Sequence, residues 1–150
     1  MWKPIFDKYK VDLVLQGHDH TYGRTGLETP LVDETGNPIE TNAATGITAR
    51  DSRTGTIYVV SVSGPKMYSM QRHPFMVRQA EYTQLYQIIH VDGNELKYES
   101  RTAVGELYDA FTLTKQSGSI NKLTNHIPDT PERKKPPEVI EREKKARAQG

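Results

Sequence analysis

His18 and His20, one residue apart after the apolar run Val11-Asp12-Leu13-Val14-Leu15-Gln16, are the residues of this chain best suited to do chemistry. Neutral imidazole is a ligand for Zn, Fe, Cu or Ni, so the pair does not choose among these metals. In extended backbone successive side chains alternate faces, which would put both rings on one side with Cα atoms roughly 6.5 to 7 Å apart. Such a pair can serve one ion or two adjacent ones, because dinuclear hydrolase sites hold their ions about 3.5 to 4 Å apart. Gly17 removes a side chain where the backbone must turn beside the ions. Asp19 alternates to the opposite face, where it suits a turn former or an acceptor behind a ligand.

The elements that must hold this pair can be read on both sides of it. Pro4 fits the first turn of a short helix, where its missing N–H costs nothing, and Ile5, Phe6 and Tyr9 fall on one face of that helix. The helix hands over to a strand from Val11 to Gln16. Residues 21–54 are rich in Thr, Gly, Asn and Asp, with a turn at Gly36-Asn37-Pro38 and a weak hairpin pattern between Leu27–Val32 and Ile39 onward. They predict a long surface insertion, the kind of loop that serves as a lid or binding loop when it is ordered.

Ile57 to Val62 is nearly continuous apolar and β-branched, as in a strand lying inside a sheet. Gly64-Pro65 breaks it, and Lys66 to Tyr82 is a mixed segment containing Tyr68, Arg72, His73 and Arg78. Leu85–Val91 and Leu96–Arg101 flank Asp92-Gly93-Asn94, a strong hairpin signal, because Asp-Gly tolerates the positive φ that such turns need. Leu96 and Tyr98 should face inward, and Leu107, Phe111 and Leu113 should form the core face of a third strand. His73 suits a pocket rim or an exposed loop, and His90 shares a face with Tyr86 and Ile88 as a structural residue. Beyond Lys115, Pro128, Pro131, Pro136 and Pro137 oppose regular structure, and Glu138 to Gln149 is highly charged. Residues 116–150 therefore predict a polar, solvated tail that includes His126.

Composition limits the function classes. With 150 residues, a formal charge of +1 and 35% hydrophobic content, the chain predicts one domain at most, with long loops or a polar end. Near-neutral balance supplies no general case for nucleic-acid or membrane binding. No apolar run reaches the roughly 18 residues of a spanning segment, and no signal-peptide pattern begins the chain. Zero cysteines exclude disulfides, thiolate ligands and a cysteine nucleophile. No P-loop, dinucleotide fingerprint or Ser-His-Asp arrangement competes for the assignment.

Gly17-His18-Asp19-His20 resembles the last metal-binding motif, Gly-His-x-His, of the calcineurin-like metallophosphoesterases, and its flanks look most like the purple acid phosphatase-like branch. Trp2-Lys3-Pro4 with Ile5 and Phe6 reads like that branch's helix-to-strand approach. Tyr22 and Arg24 resemble its His-x-His-x-Tyr-x-Arg continuation, with Gly23 where plant-type members carry an acidic residue. The segments around 55–64 and 105–113 look like the family's closing strands, so the resemblance covers roughly residues 1–115, and Gly-His-x-His is its chemically specific part.

The resemblance implies an α+β fold: the C-terminal half of a metallophosphoesterase-type β-sandwich with flanking helices and mostly antiparallel strands. It implies His18 and His20 as metal ligands, with Asp19, Tyr22 and Arg24 behind them or in contact with phosphate; a structural salt bridge is the commoner role for an arginine such as Arg24. The cofactors would be two divalent or trivalent ions, Fe, Zn or Mn, acting on a phosphate ester. The family's Asp-x-His, Gly-Asp and Gly-Asn-His motifs do not occur here, so the chain would hold no complete catalytic set and would need the N-terminal half of the catalytic domain as its partner. An uncovered sheet face would favour self-association, and an extracytoplasmic location follows from the resemblance alone. The alternative from another class is a non-catalytic β-rich binding module that uses the long loop and tail, with the histidines incidental.

Overall fold

The computed structural model describes residues 2–28, 55–117 and 121–148. Among these residues eight strands form two four-stranded sheets that pack face to face, with one helix before the first strand and one after the last. The first sheet contains β1 (Leu13–Gln16), β2 (Tyr22–Thr25), β3 (Ile57–Val60) and β4 (Met76–Ala80) in the order β1-β3-β2-β4. Its β1–β3 pair is parallel, with Leu13 opposite Ile57 and Gln16 opposite Val60, and its other pairs are antiparallel. The second sheet is an antiparallel meander of β5 (Leu85–Asp92), β6 (Glu95–Thr102), β7 (Leu107–Thr114) and β8 (Lys122–Asn125).

Helix α1 (Lys3–Lys8) starts with Pro4 in its first turn. Phe6 brings its ring within 6.2 Å of the Tyr58 ring, so α1 lies over β3. The inward positions of both sheets build one core of Tyr22, Ile57, Val59 and Ala80 against Leu85, Tyr98, Phe111 and Leu113. β3 is interior, as its β-branched run predicts, and the β5–β6 hairpin turns at Gly93, whose φ is +52°. Tyr98, Phe111 and Leu113 face the core as expected, with the Tyr98 and Phe111 rings stacked at 4.7 Å.

Two expectations change. The segment after His20 does not begin as a surface insertion. Residues 22–25 form β2, a fully buried strand between β3 and β4, and the Glu28–Thr56 bridge extends its pairing. The expected hairpin turn at Gly36-Asn37-Pro38 lies outside the described residues. Within residues 121–148 the chain docks at several points, while most of its side chains stay exposed. β8 pairs with β7, Thr130 receives hydrogen bonds from Arg78 at 2.8 and 3.0 Å, and the buried Val139 anchors α2 (Pro137–Ala148). Lys135 is buried as well, its ammonium shared between both carboxylate oxygens of Glu143.

One physical reason accounts for both changes: burial here is achieved with paired polar groups. Arg24 on β2 donates to Asp109 on β7 from Nε at 2.6 Å and from Nη2 at 2.9 Å, with both side chains fully buried. The Tyr22 hydroxyl donates to the same carboxylate at 2.6 Å and lies 3.2 Å from the Tyr98 hydroxyl. The Arg24 guanidinium also sits 5.1 Å from the centre of the Phe111 ring. A bidentate pair with its remaining acceptor positions filled can offset the cost of leaving water, which neither charge could do alone.

Candidate metal-ligand loop

β1 and β3 run parallel, so their carboxyl ends open on the same edge of the first sheet, where ligands of α/β-type sheets commonly bind. From β1 the chain continues into Gly17-His18-Asp19-His20, and from β3 into Ser61–Tyr68. The two segments are tied together. Ser61 N–H donates to the Gln16 carbonyl at 3.1 Å, Tyr68 N–H donates to the His20 carbonyl at 3.0 Å, and His20 Nδ1 lies 2.6 Å from the Lys66 carbonyl oxygen.

The histidine segment is not extended, contrary to the alternation that its spacing suggests. Asp19 N–H donates to the Gly17 carbonyl at 3.1 Å, closing a γ-turn centred on His18, whose φ is +78°. Thr21 N–H donates to the Asp19 carbonyl at 2.7 Å, closing a second γ-turn centred on His20. The positive-φ form at His18 is the rarer, strained one. Left-handed backbone at a residue with a Cβ costs of order 1–3 kcal/mol and tends to occur at binding and catalytic sites. The sharp turn thus belongs to His18 rather than to Gly17, whose φ is ordinary and where a Cβ would meet open space.

The imidazoles differ in their surroundings. His18 is exposed and has no side-chain partner among the described residues. His20 is half-buried, and its ring stacks on that of Tyr68 at 4.7 Å and 26°. The Lys66 ammonium is 5.3 Å from the centre of the same tyrosine ring. A carbonyl oxygen can only accept, so Nδ1 of His20 carries the proton and the Nε2 lone pair is left for a ligand. A backbone carbonyl on the second ring nitrogen is the usual arrangement behind a metal-binding histidine. No group of three or more His, Cys, Asp or Glu that could hold a metal ion exists among the described residues.

The other residues singled out by sequence are placed as follows. Asp19 acts through its backbone, as donor in one γ-turn and acceptor in the next, and its carboxylate is exposed. Tyr22 and Arg24 face the interior between the sheets, where both bond the buried Asp109. His73 is exposed and stacks on Phe75 at 5.1 Å, and His90 is exposed on β5. His126 follows β8 and places Nε2 3.0 Å from the Thr112 hydroxyl. Sequence alone does not mark Lys66 and Tyr68 as the partners of His20 that they are. Their only signal is position, in the loop after the strand that pairs in parallel with β1.

A separate cavity of about 200 Å³ is lined by Met70, Arg72, Gln79, Ala80, Glu81, Arg133 and Lys134. Its charges are largely matched. Arg72 pairs with Glu132, Arg133 with Glu106, and the Glu81 carboxylate accepts from the backbone N–H groups of Met70 and Lys135.

No family model matches the chain, and no solved structure matches it. Over 64 residues it is 39% identical to two uncharacterized proteins of Mycobacterium tuberculosis, MT2654 of strain CDC 1551 and Rv2577 of strain H37Rv. Each match covers 42% of this chain and 12% of the relative, so the chain aligns with only a small part of proteins several times the matched length.

Proposed function

We propose that this chain is the C-terminal portion of a calcineurin-like metallophosphoesterase of the purple acid phosphatase-like branch. In this reading it supplies His18 and His20 to a dinuclear site completed by a preceding part of the protein. The observation that carries the proposal is the placement of both histidines on consecutive γ-turns at the carboxyl end of a parallel strand pair, with His18 held at φ +78°. Backbone strain of that kind persists only where the surroundings over-determine it. The Nδ1 hydrogen bond of His20, which leaves Nε2 as the donor atom, adds to this support.

Two metal ions of the Fe, Zn or Mn type, when bound, would neutralise charge on the phosphoryl oxygens and acidify water for in-line attack on a phosphate ester. The role of the chain itself is to present two neutral imidazoles from a rigid sheet edge. Phosphate-steering cations must come from elsewhere than Arg24, because its guanidinium is closed by Asp109. Without a bridging carboxylate, the 150-residue chain should bind divalent metal weakly and leave p-nitrophenyl phosphate unhydrolysed. In a longer protein carrying this sequence, His18→Ala or His20→Ala should remove most turnover and one equivalent of metal while leaving the circular dichroism spectrum intact. Full activity with both alanines in place would sink the ligand assignment. Chelator-sensitive hydrolysis by the 150-residue chain would sink the assignment of the remaining ligands to another segment.

A further inference from the structure

Tyr68 has no evident packing reason to be where it is. It lies on a loop with 41% of its surface exposed, yet its ring is stacked on His20 at 4.7 Å and its N–H is bonded to the His20 carbonyl. Two residues earlier, the Lys66 carbonyl meets His20 Nδ1 at 2.6 Å. The segment 66–68 therefore grips His20 at three points: ring edge, ring face and backbone. His18, two residues away, receives none of these contacts among the described residues.

We infer that Lys66 and Tyr68 are positioning residues for His20: the Lys66 carbonyl selects the Nδ1–H tautomer, and the Tyr68 ring fixes the plane in which Nε2 is presented to a metal ion. The inference rests on the metal-ligand reading for its purpose, but not for its geometry. An imidazole free to rotate about χ2 spreads its Nε2 lone pair over a wide arc, and only a small part of that arc serves any one ion. A carbonyl alone restrains the ring at a single atom. Adding a stacked face removes the remaining freedom before the ion arrives, which is why groups behind a metal ligand commonly affect metal affinity 10- to 100-fold. The Lys66 ammonium, 5.3 Å from the centre of the tyrosine ring, favours the same ring placement through the negative face of the aromatic system.

The experiment is nitrogen-15 correlation NMR of the histidine rings in the metal-free full chain, in mildly alkaline buffer, followed by titration with Zn²⁺ alone. The wild type and Tyr68→Phe should both show His20 as the Nδ1–H tautomer and shift its Nε2 resonance on adding zinc. Tyr68→Ala should show tautomer exchange at His20 and roughly tenfold weaker zinc response there, with an unchanged melting temperature. Lys66→Met keeps the carbonyl and should keep the tautomer. An Nε2–H or evenly mixed His20 in the wild type would overturn the inference, as would a Tyr68→Ala variant that behaves like the wild type. A wild-type His20 that holds the Nδ1–H tautomer, loses it in Tyr68→Ala and yet ignores zinc would uphold the positioning and overturn the metal reading instead.

Discussion

Arg24 shows at the scale of one residue how position in the fold overrides a motif. After the histidines, Arg24 admits either a phosphate-steering cation or a structural salt bridge, and the structure pairs it with the buried Asp109. Removing one partner of such a pair leaves an uncompensated buried charge, a loss of roughly 3–5 kcal/mol. Asp109→Ala should therefore lower the urea midpoint sharply, and a variant within about 1 kcal/mol of wild type would show that water reaches Arg24. The phenols beside the pair set an alkaline limit. Burial pushes Tyr98 up to about 12 and raises Tyr22 well above its ordinary value. An unfolded tyrosine ionises near pH 10. The stability these neutral hydroxyls contribute is therefore complete below about pH 10 and is lost as pH rises through 12. Denaturation followed across that window should show a steep fall, whereas a flat profile would mean that Tyr98 ionises without penalty.

At the scale of elements, what could be read in advance is what carries apolar periodicity. β7 and the interior β3 announce themselves through β-branched and aromatic residues, and the β5–β6 hairpin adds an Asp-Gly turn. β2 and β4 do not, because Tyr-Gly-Arg-Thr and Met-Val-Arg-Gln-Ala bury arginines, and no local pattern reveals that Asp109, Tyr108 and Thr130 satisfy them. The histidine pair was legible as residues but not as geometry, since two γ-turns stand where alternation predicts a strand. The polar tail hid β8 for a similar reason: Leu123 is its one apolar contact with the core, and pairing with β7 supplies the rest. Ending the chain at Lys115 would strip β8 from β7, uncover Val139's site and remove both bonds from Arg78 to Thr130. The melting temperature should drop by more than about 5 °C, beyond the roughly 2–4 °C that 1 kcal/mol represents in a domain of this size. An unchanged melting curve would mean that the segment 121–148 adds nothing. At the hairpin, Gly93→Ala forces a Cβ into φ +52° and should cost roughly 1 kcal/mol by thermal denaturation, although nothing lies within 4 Å to clash with it.

For the whole molecule, the first sheet ends at β1, which pairs with β3 on one side and carries no strand on the other among the described residues. Leu15 on β1 is half exposed, and Trp2 and Tyr9 flanking α1 are about 70% exposed. An open edge bearing apolar side chains is a template for association. Sedimentation of the isolated chain should show concentration-dependent self-association that Leu15→Lys reduces. A strict monomer at high concentration would indicate that the edge is adequately protected by itself.

The Arg24–Asp109 pair joins residues 85 positions apart. During synthesis the histidine segment is made well before the carboxylate that anchors the strand beside it. Until then β2 carries an unpaired guanidinium, which holds it in water and away from β3. Burial of β2 between its neighbours is thereby deferred until Asp109 has been made, so the order in which the residues are added also orders the closing of the first sheet.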